Sequence, residues 1–145
     1  MIATLYLRAA SVLTFLCGAA HTFGAVINKP DPGAMQAAAA AMQSSPFNAL
    51  GHSRTYWDFF TGYGLSISIT FLVQAIIFWQ LAAIAKTHAY RVRGIVFVFC
   101  LGYAGWAVMA WRYFFAPPLI GELLIVLALF AAYLACRKAP ATPAR

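Results

Sequence analysis

The stretch Tyr56–Ala85, YWDFFTGYGLSISITFLVQAIIFWQLAAIA, decides the fold. Its one charged residue is Asp58, and Tyr and Trp stand at its start. A helix needs about 20 mostly apolar residues to cross the hydrocarbon core of a bilayer, and this stretch is longer. We therefore interpret it as a transmembrane helix and look for others of the same kind.

Three further runs have the required length and composition: Ile2–Ile27, Gly94–Phe115 and Leu119–Cys136. The first run continues past Ala19 and Ala20, the small residues at which a signal peptide would be cleaved, so we expect an uncleaved helix. The Pro117-Pro118 pair is expected to separate the last two runs, since proline cannot continue the preceding helix. The prediction is an all-α, four-transmembrane-helix bundle that forms a single integral membrane domain.

The composition supports this class. Hydrophobic residues make up 63% of the 145 residues and charged residues 9%, whereas a soluble domain carries about 25% charged residues. Ten Lys and Arg against three acids give a net charge of +7, which in a soluble chain would suggest nucleic acid. Here the basic residues lie in short loops and tails between apolar runs, so the predicted partner is the lipid bilayer and not nucleic acid.

The positive charges also predict orientation. Seven of the ten basic residues fall on one side of the predicted bundle: Arg8, Lys86, Arg91, Arg93, Arg137, Lys138 and Arg145. The other side has Lys29, Arg54 and Arg112. Because the richer side of a membrane protein is cytoplasmic, we expect both termini inside and the loop Asn28–Thr55 outside.

The loop Asn28–Thr55 opens with a turn signal, Lys29–Gly33, followed by the alanine-rich stretch Ala34–Ser44. Alanine favours helix, so a short extracytoplasmic helix is predicted there. Two interpretations stay open: an interfacial helix lying on the membrane, or a lid over the bundle.

Four ionisable residues are predicted inside the membrane, one on each helix: His21, Asp58, Arg112 and Glu122. Such groups cost roughly 2.5–3.5 kcal/mol each at the centre of a membrane helix. The rise per residue puts all four at about 6–10 Å below the outer boundary. We expect them to face one another, with Arg112 paired to Glu122 or to Asp58, and His21 beside the remaining carboxylate.

The residues around the start of the second helix form a second candidate region: His52, Arg54, Tyr56 and Trp57. One interpretation is that the aromatic residues are ordinary interfacial anchors. The other is that they form the rim of a ligand site, since the free N–H groups of a helix start favour an anion. Ser53 or Thr55 is predicted to cap the helix.

Familiar catalytic and cofactor motifs are absent from the sequence. Cys17, Cys100 and Cys136 are far apart in sequence and are interpreted as packing residues. There is no G-x-S-x-G, H-E-x-x-H, P-loop or paired-glycine nucleotide motif, so no cofactor or metal is predicted. The absence of these motifs favours a protein that is not an enzyme, but an enzyme of lipid chemistry stays open, because an Asp, a Glu and a His near the interface could do acid–base work. Gly102 and Gly105 permit a close helix contact, either within one chain or in a homodimer.

The segments GAAHTFG (Gly18–Gly24) and RTYWDFF (Arg54–Phe60) resemble a family of small bacterial four-helix inner-membrane proteins of unknown function. The resemblance covers most of the chain. It implies four helices in a bacterial inner membrane, and it carries no activity or cofactor with it.

The function predicted first is binding of a small amphipathic or lipid-like ligand at the outer-leaflet polar cluster. Arg54 and Arg112 would hold a negative end and the aromatic residues an apolar body. Two alternatives stay open. One is proton-coupled transport by a dimer, with His21, Asp58 and Glu122 as proton carriers. The other is a structural or accessory subunit in which buried polar groups lock the helices in register.

Overall fold

The computed structural model describes residues 1–28 and 30–137. The elements are α1 (Ile2–His21), a π-helix (Thr22–Ile27), α2 (Ala34–Ser44), β1 (Pro46–Ala49), β2 (His52–Thr55), α3 (Tyr56–Tyr113) and α4 (Ala116–Ala135). Three of the predicted orientation charges, Lys29, Lys138 and Arg145, lie outside the described residues. The predicted all-α class is confirmed, with one short β-hairpin added to it.

Among the described residues, three helical segments are long and apolar enough to cross a membrane: Ile2–Ile27, Tyr56–Tyr113 and Ala116–Ala135. The described chain therefore has the helices expected of a membrane protein.

The helix α3 is interrupted at His88, whose φ of −133° and ψ of 49° leave the helical region. A straight helix of 58 residues would be about 87 Å long, far more than a bilayer needs. Instead the chain folds back at this residue: the Phe78 and Phe99 rings meet edge-on with centroids 5.0 Å apart. We call residues 56–87 the first arm and residues 89–113 the second arm.

The prediction of a loop over residues 86–93 is wrong, because the helix is interrupted only at His88. Neither proline nor glycine occurs between Lys86 and Arg93, so nothing in that stretch ends a helix, and both arms continue up to His88. The predicted turn at Pro117-Pro118 is also corrected. Both prolines lie in the first turn of α4, where their missing N–H groups have no intrahelical partner to lose.

Contacts divide the chain into two units. The first unit comprises Met1–Cys17 and the chain from Leu72 onward, and the second comprises Gly18–Phe71. In the first unit the start of α1, both arms of α3 and α4 pack side by side. Ser11 Oγ donates to Ala75 O at 2.7 Å. The largest fully buried side chains of this bundle are Leu7, Thr14, Phe78, Val96, Ile125, Leu129 and Cys136.

In the second unit, α1 ends in the π-helix and approaches α3 closely. A Cβ added to Gly18 would lie 2.6 Å from Phe71 Cβ, so only glycine fits there. Thr22 Oγ1 lies 2.7 Å from Gly18 O and 2.8 Å from Ser68 Oγ. The predicted short helix is present as α2, with the bounds Ala34–Ser44.

The antiparallel hairpin of β1 and β2 follows α2, with Phe47 opposite Arg54 and Ala49 opposite His52. Its two loop residues, Leu50 and Gly51, have positive φ angles of 50° and 89°, as a tight hairpin turn requires. The hairpin leads directly into α3 and fixes where that helix begins.

Candidate functional site

The interior of the first unit contains a group of polar side chains that we call the interior polar cluster: Thr14, Cys17, Gln74, Tyr103 and Glu122. They come from α1, both arms of α3, and α4. Thr14 is fully buried, and Tyr103 and Glu122 are 4% and 5% exposed. The bundle therefore buries polar side chains that would be unfavourable on a surface that faces lipid.

Tyr103 is the centre of the hydrogen bonding in this cluster. Its hydroxyl donates to Gln74 Oε1, and Thr14 Oγ1 lies 3.4 Å from the same hydroxyl oxygen. Because the single Tyr103 proton is used on Gln74, Thr14 is the donor in the second contact. The result is a short chain of hydrogen bonds that links three helical stretches.

Glu122 is the exception within the cluster. Its Oε2 is buried and has no hydrogen-bond partner among residues 1–28 and 30–137. The carboxyl group lies within electrostatic range of Cys17 and Tyr103. A Cβ added to the neighbouring Gly121 would lie 2.7 Å from Cys17 Sγ, so α4 and α1 are in close contact here. A buried carboxylate without a donor is strongly unfavourable, so this position calls for a proton or for a donor from another molecule.

Arg112, which was expected to face Glu122, is exposed. Its guanidinium carbon lies 5.9 Å from the centroid of the Tyr113 ring. Within the described part of the chain no ion pair joins Arg112 to Glu122. Arg112 stands on the open face at the end of α3, whereas Glu122 lies on the face of α4 that packs inward, and this separates the two charges.

Asp58 caps α3. Thr55 N donates to Asp58 Oδ2 at 2.7 Å, and Asp58 N donates to Thr55 Oγ1 at 3.1 Å. This reciprocal pair satisfies two N–H groups that a helix start would otherwise leave unpaired. Thr55 is thus one of the two caps that the sequence predicted, and the Asp58 carboxylate has a local structural partner.

His21 is half-buried at the end of α1. Its Nε2 lies 3.1 Å from Gly64 O, and because a carbonyl only accepts, Nε2 is the protonated nitrogen. The ring also lies against Phe71, with centroids 6.3 Å apart. Within the second unit, His21 and Asp58 therefore engage different partners, Gly64 and Thr55.

The four residues predicted around the start of the second helix all belong to the second unit, on β2 and in the first turn of α3. We call them, with Phe47, the hairpin rim. His52 and Arg54 are exposed on β2, and Arg54 Nη1 donates only to the adjacent Ser53 O at 2.8 Å. The Phe47 ring lies 4.9 Å from Tyr56, and Trp57 stacks on Phe60 at 5.4 Å. The rim thus has two exposed polar residues, His52 and Arg54, and two separate groups of contacting aromatic rings.

Sequence reasoning did not single out Tyr103 or Phe47, because a tyrosine or phenylalanine in an apolar run has no distinguishing mark. Thr14 and Cys17 were easier to find from the sequence, since they share a helical face at a spacing of three residues. Among the described residues, no three His, Cys, Asp or Glu side chains come together in a way that could hold a metal ion.

Comparison with protein families, with curated proteins and with solved structures found no match for this chain. The functional argument therefore depends on the geometry of the sites.

Proposed function

We propose that the chain is a multi-pass protein of the bacterial inner membrane that binds a small amphipathic or lipid-like ligand through Glu122. In this proposal α1, the two arms of α3 and α4 are four transmembrane spans. Both termini are cytoplasmic, and α2 and the hairpin lie outside. The break at His88 supports the span count, because each arm of α3 exceeds the about 20 residues that a crossing needs. The exposed Lys86, Arg91 and Arg137 support the orientation.

The observation that carries the proposal is the unpartnered Oε2 of Glu122, an oxygen buried inside a bundle of apolar helices. A ligand that donates a hydrogen bond to it would remove an energetic defect that the protein alone leaves. The polar end of the ligand is therefore a donor, such as a hydroxyl or an ammonium group. This differs from the negative end expected from the sequence, because Arg112 does not accompany Glu122.

The depth of Glu122 supports a ligand that enters from the lipid. It lies four residues after Pro118, which corresponds to about 6 Å along the helix. The hairpin rim supports amphipathic surroundings, since its exposed Tyr56 and partly exposed Trp57 are of the residue types that favour the head-group level of a bilayer.

The test is native mass spectrometry of the protein purified in a mild detergent. We expect a discrete extra mass on the wild-type protein, and its loss from Glu122→Leu, which keeps the side-chain size and removes both oxygens. Glu122→Gln retains one acceptor and should keep part of the occupancy. Asp58→Asn changes the exposed acid of the capping pair and serves as the control, with wild-type occupancy expected.

A purely structural role for Glu122 predicts a different result. The wild-type protein would carry only scattered detergent and lipid, and Glu122→Leu would be as stable as the wild type or more stable, because an apolar group replaces an unsatisfied polar one. That pair of results would overturn the ligand proposal.

Proton-coupled transport is a second candidate, favoured by the hydrogen-bonded chain Thr14–Tyr103–Gln74 in the same cluster as Glu122. The Glu122 carboxyl group lies within electrostatic range of Tyr103 in this chain, and proton exchange between them would require a direct hydrogen bond or one bridging water. Proton flux into liposomes loaded with a pH dye tests this function. Flux that is present in the wild type and lost in both Glu122→Gln and Tyr103→Phe would support transport, and equal flux in all three proteins would exclude it.

A further inference from the structure

The first unit has a groove at the opposite end from Glu122, between the start of the second arm and the end of α4. Its volume is about 500 Å³, and it is lined by Tyr90, Arg91, Arg93, Gly94, Phe97 and Tyr133. Two of these residues are arginines and none is acidic. We propose that this groove binds the phosphate group of an anionic phospholipid.

Arg93 is held in position for such a ligand. Its Nη2 donates to Tyr133 Oη at 3.0 Å, and its guanidinium carbon lies 4.4 Å from the centroid of the same ring. A guanidinium fixed over an aromatic ring loses little further freedom when it binds, and its planar donors match two oxygens of a phosphate.

The Arg93 side chain also has a hydrogen-bond donor that is not used. Arg93 Nε is buried and has no hydrogen-bond acceptor in the part of the chain that the structure describes, and each such donor carries a free-energy cost. An oxyanion in the groove would accept from Nε and Nη2 together. A Cβ added to Gly94 would meet no atom within 4 Å, so the backbone beside Arg93 is open to a head group.

The rest of the groove suits a lipid better than free phosphate. The Phe97 and Tyr133 rings lie 5.2 Å apart, and Phe130 stacks on Tyr133 at 6.4 Å. Phe97 on the second arm and Phe130 and Tyr133 on α4 offer an apolar surface to an acyl chain beside Arg93. Basic grooves between membrane helices on the cytoplasmic side are a recurrent form of anionic-lipid site.

The surrounding charge has the same sign. Lys86 precedes the break at His88, Arg91 lines the groove, and Arg137 follows the end of α4, and all three side chains are exposed. Each basic residue near an anionic membrane surface adds to the attraction of acidic lipids. The groove is independent of Glu122, so either proposal can fail without the other.

The experiment is a lipid titration of the purified full-length protein, followed by native mass spectrometry, with phosphatidylglycerol compared with phosphatidylcholine. We expect the wild type to prefer phosphatidylglycerol and Arg93→Gln to lose the preference by about tenfold, the value of one charge-assisted hydrogen-bonded contact. Arg93→Lys keeps the positive charge but loses the planar donors of the guanidinium. Its preference for phosphatidylglycerol should therefore lie between those of the wild type and Arg93→Gln. Arg112→Gln changes an exposed arginine at the other end of the second arm; it is the charge-matched control and should behave as the wild type.

Three results would overturn the proposal. The first is an unchanged preference in Arg93→Gln. The second is an equal loss in Arg112→Gln, which would mean general electrostatic attraction. The third is displacement of phosphatidylglycerol by an equimolar amount of inorganic phosphate, which would mean that the groove recognises the free anion. If Arg93→Gln does not fold, Tyr133→Phe, which removes only the hydroxyl that orients the guanidinium, gives a smaller loss of the same preference.

Discussion

At the residue scale, Asp58 and Glu122 show how the same kind of side chain has opposite environments in one protein. Asp58 is exposed and accepts a hydrogen bond from the backbone N–H of Thr55. Glu122 is 5% exposed, and one of its oxygens has no partner. Capping satisfies the first acid locally, whereas the second is left with a buried oxygen that calls for a proton or for a donor from another molecule. Because of this difference, we propose ligand binding through Glu122 and not through Asp58.

The capping pair leads to a prediction about Thr55. Thr55→Ala removes the hydroxyl that accepts from Asp58 N, and loss of such a cap lowers the free energy of unfolding by about 1 kcal/mol. Thermal unfolding in detergent, followed by circular dichroism, measures the change. Ser53→Ala is the matched control, because Ser53 lies two residues earlier on the exposed strand, and it should unfold like the wild type. Equal effects of the two substitutions would contradict the capping role.

Leu50 gives a second prediction at this scale. It has a φ of 50° and is fully exposed at the tip of the hairpin. The left-handed conformation costs a non-glycine residue about 1–2 kcal/mol, and asparagine tolerates it better. Leu50→Asn should therefore increase the hydrogen-exchange protection of the hairpin amides. Leu50→Ala keeps the unfavourable conformation, so it should give no increase, and a gain equal to that of Leu50→Asn would argue against backbone strain.

At the element scale, the helices contact one another most closely where one of them has a glycine. Gly18 lies against Phe71 in the second unit, and Gly121 lies against Cys17 in the first. Gly102 and Gly105, which the sequence offered as contact residues, have no heavy atom within 4 Å of an added Cβ. Within the described chain the tight glycine contacts therefore occur at Gly18, at Gly121 and at Gly64, where an added Cβ would lie 3.1 Å from Val26 Cγ2, whereas the Gly102–Gly105 face is open.

This difference can be measured. Gly18→Ala places a methyl group 2.6 Å from Phe71 Cβ, and overpacking of this kind costs about 1–3 kcal/mol. Gly105→Ala is the same substitution in an open position, and alanine also favours helix there. We expect a lower unfolding temperature for Gly18→Ala and an equal or higher one for Gly105→Ala. If Gly105→Ala were instead the more damaging change, the open face would be a contact between two copies of the chain.

At the scale of the whole molecule, the four-span proposal predicts which parts of the chain are accessible from each side. A green fluorescent protein fused after Arg145 should fluoresce, and an alkaline phosphatase fused there should be inactive, because both termini are proposed to be cytoplasmic. Active phosphatase at this position would reverse the orientation.

The outer loop provides the complementary prediction. Leu50→Cys, made in a chain whose Cys17, Cys100 and Cys136 are changed to alanine, introduces a thiol at a fully exposed position. A membrane-impermeant maleimide should label it in intact spheroplasts. A cysteine at Lys86, on the proposed cytoplasmic side, should be labelled only after the membrane is opened. The reverse pattern would exclude the proposed topology.

The sequence by itself determined the class of the protein, the extent of most helices and the existence of α2. These properties depend on local composition: a run of about 20 apolar residues must satisfy its backbone hydrogen bonds internally, and a helix does so whatever it packs against. The same reasoning found Thr55 as a cap, because a cap acts on residues only three positions away. It also identified Glu122 as an unusual residue, since a charge in an apolar run is visible without a structure.

Only the tertiary structure decided which side chains meet. Helical periodicity tells which residues share a face, but not which face of another helix lies opposite, so neither the link of Tyr103 to Gln74 nor the separation of Arg112 from Glu122 was predictable. The hairpin escaped prediction because its turn uses leucine where asparagine or glycine would have signalled a positive φ. The break at His88 escaped it because a single residue without proline or glycine leaves no mark in the sequence. In each case the deciding contact joins residues distant in the chain or depends on the packing around them, and local sequence carries no record of either.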